Sequence, residues 1–143
     1  MKTFLDTSIY ISHYRAGVHS ESLQRINSEY TLHLHAVVLA ELYAGAGTPA
    51  FVKELQRLEK TFATKNRIVV PQKRDYVRAG QTLRKMREAH LIGGSKSSVF
   101  LADALLASSA HHEGMTLVTE DRDFEKIKSL QHFPLLLITP ALH

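Results

Sequence analysis

Cysteine is absent from the 143 residues of this sequence. Its absence excludes disulfide scaffolds, thiolate zinc sites, iron–sulfur clusters and cysteine nucleophiles, and it is typical of the reducing cytoplasm, where we expect the protein. Long apolar runs are also missing, since the longest, residues 133–138, falls far short of the ~20 residues that a membrane helix needs. Asp6 interrupts the only apolar stretch near the start, so we expect neither a signal peptide nor a membrane segment.

Length and composition describe one folded unit. Hydrophobic residues make up 44% of the chain and charged residues 22%, which is typical of a packed globular protein and not of a disordered one. A chain of this size buries roughly 68–70% of its unfolded surface without disulfides or structural metals. We therefore expect a single domain over residues 1–143.

The net charge of +4 is unevenly distributed along the chain. Residues 1–52 carry a net charge of −1, residues 53–96 carry +8 and residues 97–143 carry −3. This pattern predicts one surface that attracts polyanions and another that attracts cations. A solvated, salt-bridged helix face is the alternative interpretation of the basic segment.

Strand-like and helical segments alternate along the chain. The predicted strands are residues 2–5, 31–35, 67–70, 115–118 and 135–138. The predicted helices are residues 7–14, 20–27, 36–46, a segment that follows Pro49, 71–90, 99–112 with Ser97 or Ser98 as its cap, and 122–127. This alternation predicts an α/β fold with a mostly parallel sheet.

Four acidic residues stand in apolar surroundings. Asp6 follows the first predicted strand, and Asp121 follows the fourth. Glu41 and Asp103 lie inside helical segments that are apolar nearly all round, so we expect both side chains to point into the protein. No Lys or Arg stands one helical turn away from either. A buried carboxylate is costly unless it is paired, protonated or bound to metal.

Each acid also has a structural interpretation. Asp6 and Asp121 are well placed to cap helices, and distant arginines could pair with Glu41 and Asp103. Asp6 and Asp121 are nevertheless expected at the carboxyl ends of strands, the edge where open α/β sheets bind ligands. Nine histidines show no zinc-ligand spacing, although His33 and His35 share one strand face, so we expect no zinc site.

The four acids stand in motifs that resemble those of the PIN-domain ribonucleases, and especially the VapC toxins of bacterial toxin–antitoxin pairs. The motifs are FLDTS at residues 4–8, VLAEL at 38–42, LADALLA at 101–107 and LVTEDRDF at 117–124. Each is weak alone, but their order and separations make the combination fairly specific, and the resemblance covers nearly the whole chain.

The resemblance implies a PIN-like three-layer sandwich whose central sheet is flanked by helices. It also implies a divalent-metal-dependent endoribonuclease that acts on tRNA or ribosomal RNA. The implied ligands of one or two Mg2+ or Mn2+ ions are Asp6, Glu41, Asp103 and Asp121. We prefer Asp121 to Asp123 as the fourth acid, and Asp123 is a supporting or substitute ligand. Further supporting residues match positions near the family's site: Thr7, Ser8 and Thr119.

The resemblance further implies a cognate antitoxin as partner and a homodimer. Basic residues that we expect to hold RNA phosphates lie in the predicted helix 71–90: Arg74, Arg78, Arg84, Lys85 and Arg87. Three alternatives stay open: a PIN nuclease of RNA processing without an antitoxin, a non-catalytic module that binds RNA or protein, and a magnesium-dependent phosphohydrolase of small molecules.

Overall fold

Five parallel strands form the centre of the fold in a computed structural model, which describes residues 1–93 and 99–139. The elements, in chain order, are β1 (Lys2–Leu5), α1 (Thr7–Ala16), α2 (Ser20–Glu29), β2 (Thr31–His35), α3 (Ala36–Ala44), α4 (Pro49–Thr64), β3 (Ile68–Val69), α5 (Lys73–Glu88), α6 (Leu101–Glu113), β4 (Thr116–Thr119), α7 (Asp123–Lys128) and β5 (Leu135–Leu137). Every described strand lies within one residue of its predicted limits.

The sheet has the order β3-β2-β1-β4-β5, and every described strand pair is parallel. The chain therefore adds β2 and β3 on one side of β1 and then returns to add β4 and β5 on the other side. Helices flank this sheet, so the predicted α/β class with a mostly parallel central sheet is confirmed. The boundary between β1 and β4, where the direction of growth reverses, is the switch point of the sheet.

Local sequence signals set the ends of several helices. The side chain of Asp6 caps α1, and Gly17 ends it with a φ of 61°. Thr48 accepts a hydrogen bond from the amide of Phe51 at the start of α4, with Pro49 in the first turn. Gly114, with a φ of 63°, ends α6 in the left-handed conformation that glycine adopts most easily. Within the described ranges, no helix combines the length and the apolar character needed to cross a bilayer.

Two helices begin two residues later than predicted. Helix α5 starts at Lys73 instead of Pro71, because Gln72 and Asp75 form a capping box there. Helix α6 starts at Leu101 instead of residue 99, with Phe100 as its N-cap. The predicted caps Ser97 and Ser98 lie outside the described residues.

The core joins the sheet to helices on its faces. Fully buried side chains on the strands include Phe4, Leu34 and Leu117. They belong to one continuous apolar cluster with Leu106 of α6 and Phe124 of α7. Fully burying side chains of this size contributes roughly 1.5–3 kcal/mol each. This packing fixes the positions of the strand ends, on which the polar side chains described next depend.

Candidate active site at the switch point of the sheet

Polar residues gather at the carboxyl ends of β1 and β4, the two strands that meet at the switch point. Asp6 follows β1 directly, Thr119 is the last residue of β4, and Asp121 comes two residues later. The two strands are hydrogen-bonded in parallel, with Leu5 opposite Val118, so their ends lie side by side. A crevice outside these strand ends is the usual ligand site of an open α/β sheet.

Asp6 is buried and held by three hydrogen bonds. Its Oδ1 accepts from the amide of Thr7 at 2.8 Å, and its Oδ2 accepts from the hydroxyls of Ser8 at 2.9 Å and Thr119 at 2.8 Å. Burial raises the pKa of Asp6, while these three donors oppose the shift. Asp6 therefore caps α1, as the structural interpretation predicts, and in the same conformation it lies in the crevice.

The hydroxyl of Thr119 also organises the turn after β4. It accepts a hydrogen bond from the amide of Asp121 at 3.0 Å while it donates to Asp6. The Oδ1 of Asp121 accepts from the amide of Asp123 at 2.9 Å, so Asp121 shapes the entry to α7. Asp123 itself pairs with Lys126 at 3.2 Å. Thr119 thus links the carboxylate of Asp6 to the backbone that carries Asp121.

Glu41 reaches the crevice from α3. The hydroxyl of Thr7 donates to Glu41 Oε1 at 2.9 Å, which connects Glu41 to the residue that follows Asp6. The expectation that Glu41 points into the protein is wrong, because α3 buries Val38 and Leu42 and leaves Glu41 exposed. Partial desolvation of the carboxyl group raises the pKa of Glu41, and the charge of Asp6 adds to that effect.

Asp103 lies in the first turn of α6 and is partly buried. Burial, followed by the negative charges of Asp6, Asp121, Glu41 and Asp123, raises the pKa of Asp103 to about 8. None of the groups that shift it is cationic. Asp6, Glu41 and Asp121 therefore lie near enough to Asp103 for their charges to disfavour its ionisation.

The donor set suits a hard divalent cation. Carboxylate oxygens are the ligands that Mg2+ prefers, and they also suit Mn2+. In residues 1–93 and 99–139, no three Asp, Glu or His side chains converge closely enough to hold a metal ion. Hydrogen bonds from Thr7, Ser8 and Thr119 hold Asp6 and Glu41 in their present positions. A cation would offset the mutual repulsion that, together with burial, raises the pKa of Asp103.

A hydrogen-bonded cluster behind the turn after β4 was not predicted from the sequence. Glu120 accepts from the hydroxyl of Ser12 at 2.8 Å, and its other oxygen lies 2.8 Å from Nε2 of His19. His19 has a φ of 67°, an uncommon conformation for a non-glycine residue. The cluster ties the Asp121 turn to α1 and α2. Its only sequence signal is the position of Glu120 beside Asp121.

The five predicted RNA-binding residues all lie on α5, and they differ in their surroundings. Arg78 donates to the carbonyl of His132 at 2.9 Å, Arg74 lies 3.5 Å from Glu113, and Arg84 pairs with Glu88 at 3.0 Å. Lys85 and Arg87 are exposed and form no ion pair within the described ranges. No described contact joins these five residues to the acidic crevice.

Replacing Thr7 with valine is expected to lower the turnover of the reaction at this site roughly 10- to 100-fold, the usual cost of losing an outer hydrogen bond to a ligand. Valine matches the shape of threonine but cannot donate to Glu41. Thr7→Ser retains the hydroxyl and should restore turnover, which steady-state kinetics will measure. Equal activity of the valine and serine variants would show that the hydrogen bond from Thr7 to Glu41 does not contribute to the reaction.

Comparisons with known proteins confirm the predicted PIN-like architecture. The sequence model of the PIN domain matches residues 3–130. VapBC2 from Rickettsia felis, solved with a DNA fragment from its promoter, superposes with a TM-score of 0.70 at 23% identity over 96% of this chain and 99% of that chain. VapBC-1 from nontypeable Haemophilus influenzae gives a TM-score of 0.68 at 17% identity over 96% and 98%. DNA-bound VapBC from Salmonella typhimurium gives 0.67 at 18% identity over 95% and 98%. No curated protein matches the sequence significantly.

Proposed function

Because this chain belongs to the PIN-domain family, whose members are generally nucleases, we propose that it is a divalent-metal-dependent endoribonuclease and the toxin of a type II toxin–antitoxin pair. Its substrate is tRNA or ribosomal RNA. The observation that supports this function best is the set of four acids around the switch point, where burial, followed by the charges of the neighbouring acids, raises the pKa of Asp103 to about 8. A binding module without catalysis has no use for such repulsion.

Each acid has a distinct role in the proposed site. Asp6 and Asp103 hold the better-occupied ion, Glu41 assists from α3, and Asp121 completes the ligand set. The ions, when bound, supply an activated water and stabilise charge on the phosphate and the departing oxygen. We prefer Asp121 to Asp123 because Asp121 acts on the pKa of both Asp6 and Asp103, whereas Asp123 pairs with Lys126.

The protein's own groups prepare this site before substrate arrives. Ser8 and Thr119 orient one oxygen of Asp6, and the Thr7 amide orients the other. Preorganised ligands avoid the cost of rearrangement when the cation and the phosphodiester bind. Hydroxyl donors can perform this function without adding positive charge that would compete with the metal.

Helix α5 supplies the proposed contacts to the RNA backbone. Lys85→Gln together with Arg87→Gln should weaken RNA binding and reduce its dependence on salt. The slope of the logarithm of the binding constant against the logarithm of salt concentration should become shallower by about 0.7 for each phosphate contact that is lost. Affinities measured at several salt concentrations test this prediction. Lys2→Gln is the control, because Lys2 begins β1 at the sheet edge opposite the acids. Equal slopes for the double variant and wild type would remove α5 from the RNA-binding surface.

A groove between α1, α2 and α4 supports the proposal of a cognate antitoxin. The groove has a volume of about 500 Å3, and its lining includes Tyr10, Leu23, Leu58 and Phe62. An apolar segment of a partner would bury this lining. The homodimer and the cytoplasmic location stay predictions.

Cleavage of a mixed pool of tRNA and ribosomal RNA tests the proposed activity. The purified protein, free of antitoxin, should release discrete fragments with Mg2+ or Mn2+, and EDTA should prevent their release. Asp6→Asn is the matched inactive variant, because asparagine retains a cap acceptor but loses the charge. Cleavage that persists in EDTA, or in Asp6→Asn, would contradict the proposed mechanism.

A further inference from the structure

A pocket opens directly beside Glu41, on the side of α3 that faces the start of α4. Its volume is about 370 Å3, and its lining includes Tyr14, Arg15, Glu41, Gly47 and Phe51. This volume lies at the small end of the 300–1,000 Å3 range of small-molecule sites. It is distinct from the groove between α1, α2 and α4, although Tyr14 borders both.

The walls of the pocket offer aromatic surface next to a free cation. The rings of Tyr14 and Phe51 lie 5.3 Å apart in an edge-to-face arrangement, and 38% of the Tyr14 surface is exposed. Arg15 is exposed and forms no ion pair with any residue that the structure describes. Aromatic faces and guanidinium groups are the elements with which proteins bind unpaired RNA bases.

We propose that this pocket receives one unpaired nucleobase of the RNA, adjacent to the phosphate that is cut. The inference rests on the proposed function, because Glu41 is both a wall of the pocket and one of the four acids. A strand whose phosphate lies at the acids carries its neighbouring base past Glu41. The base would contact the Tyr14 and Phe51 rings, and Arg15 would donate to the acceptors on its edge. The pocket thereby sets a base preference at one position beside the cleavage site.

Gly47→Leu tests the pocket with little risk to the fold. Gly47 does not have a positive φ, and a Cβ added there meets no atom within 4 Å, so the fold accepts a leucine side chain at this position of the pocket lining. Ala63→Leu is the matched control, because Ala63 is exposed and lies in the last turn of α4, which leads into β3 at the sheet edge opposite the acids. Sequencing the fragment ends from a randomised single-stranded RNA pool measures the base preference of each variant.

The wild type and Ala63→Leu should show the same preference of about tenfold or more at one position beside the cut, as expected when a guanidinium group recognises the edge of one base. Gly47→Leu should lose that preference. In metal-free Asp103→Asn protein, adding Gly47→Leu should weaken binding of a short oligonucleotide carrying the preferred base about tenfold, measured by fluorescence anisotropy.

Two sets of results would overturn the inference. Wild-type cleavage without a base preference, or a preference unchanged in Gly47→Leu, would contradict base recognition by the pocket. Neither result would contradict the proposed nuclease function. If Gly47→Leu loses all cleavage, unchanged oligonucleotide binding would likewise contradict base recognition. A wild-type protein that cuts no RNA in the mixed pool or the randomised pool would contradict the proposed function itself.

Discussion

Asp103→Asn is expected to lower RNA cleavage more than about 100-fold and, in the same variant, to stabilise the metal-free protein. The loss of activity exceeds the 10- to 100-fold cost of outer hydrogen bonds because Asp103 is itself a proposed ligand. The gain in stability follows from the pKa of Asp103, which burial and four neighbouring acids raise to about 8. Activity and stability should therefore change in opposite directions.

The sign of the stability effect follows from proton linkage. Between pH 3.8 and about 8, the unfolded chain has lost the Asp103 proton that the folded protein retains. The free energy of unfolding therefore falls as pH rises through this interval. Asparagine does not titrate, so Asp103→Asn removes the contribution of residue 103 to this fall. At pH 8 we expect Asp103→Asn to raise the Tm by at least roughly 3–5 °C, about the effect of 1 kcal/mol in a domain of this size.

Thermal unfolding in EDTA across pH 5–8 measures this effect. Asp123→Asn is the control, because Asp123 pairs with Lys126 and is the last of the acids that act on Asp103. Its Tm should stay close to that of the wild type. A lower Tm for Asp103→Asn than for the wild type at pH 8 would show that the negative charge is compensated in the folded protein, contrary to our description of the site.

Acid should destabilise the protein through His35, which is fully buried at the end of β2. Nδ1 of His35 accepts the amide of Val37 and caps α3, and Nε2 lies 2.9 Å from the hydroxyl of Ser109. A proton on Nδ1 would break the cap, and burial lowers the pKa of His35 to about 4. The neutral ring with its proton on Nε2 is therefore the folded form.

The unfolded chain takes up the His35 proton near pH 6.5, whereas the folded protein resists it down to about pH 4. Stability is therefore lost as pH falls through this interval, by about 3 kcal/mol in total. Asp103 has the opposite slope over the same pH range, so the measurement belongs in the Asp103→Asn background. His35→Asn retains a cap acceptor but cannot titrate.

Urea unfolding at several pH values should show this loss in Asp103→Asn and not in the double variant with His35→Asn. The double variant has a lower stability at pH 7, because asparagine leaves part of the space that the imidazole fills beside Phe4. Parallel stability curves for the two proteins between pH 6.5 and 4 would contradict the role given to His35.

Much of the fold follows from local signals in the sequence. Period-two alternation identifies β2 with both ends correct, and the acid after β1 marks the start of α1. The order of strands and helices implies a parallel sheet, which the structure confirms. Helix starts are less certain when the capping group is unusual, as at Gln72 and Phe100, because these residues are poor helix caps by type.

The sequence identifies the acids of the candidate site, but it does not predict the burial and the contacts of the side chains around them. Glu41 is exposed because it lies off the face of α3 that buries Val38 and Leu42, and the apolar residues around Glu41 give no direction to its side chain. The burial of His35 depends on α6, whose Ser109 is 74 residues away in the chain. The Glu120 contacts to Ser12 and His19 span 108 and 101 residues. Such contacts depend on packing between distant elements.

Calorimetric titration of Mn2+ into the purified protein tests most directly whether the acids form one cation site. We expect saturable binding at pH 7 with release of protons, since the raised pKa of Asp103 means that the cation displaces a proton there. Binding should be lost or greatly weakened in Asp6→Asn and Asp103→Asn and unchanged in Lys2→Gln. Equal Mn2+ binding by Asp6→Asn, or none by the folded wild-type protein, would contradict the assignment of these acids as one cation site.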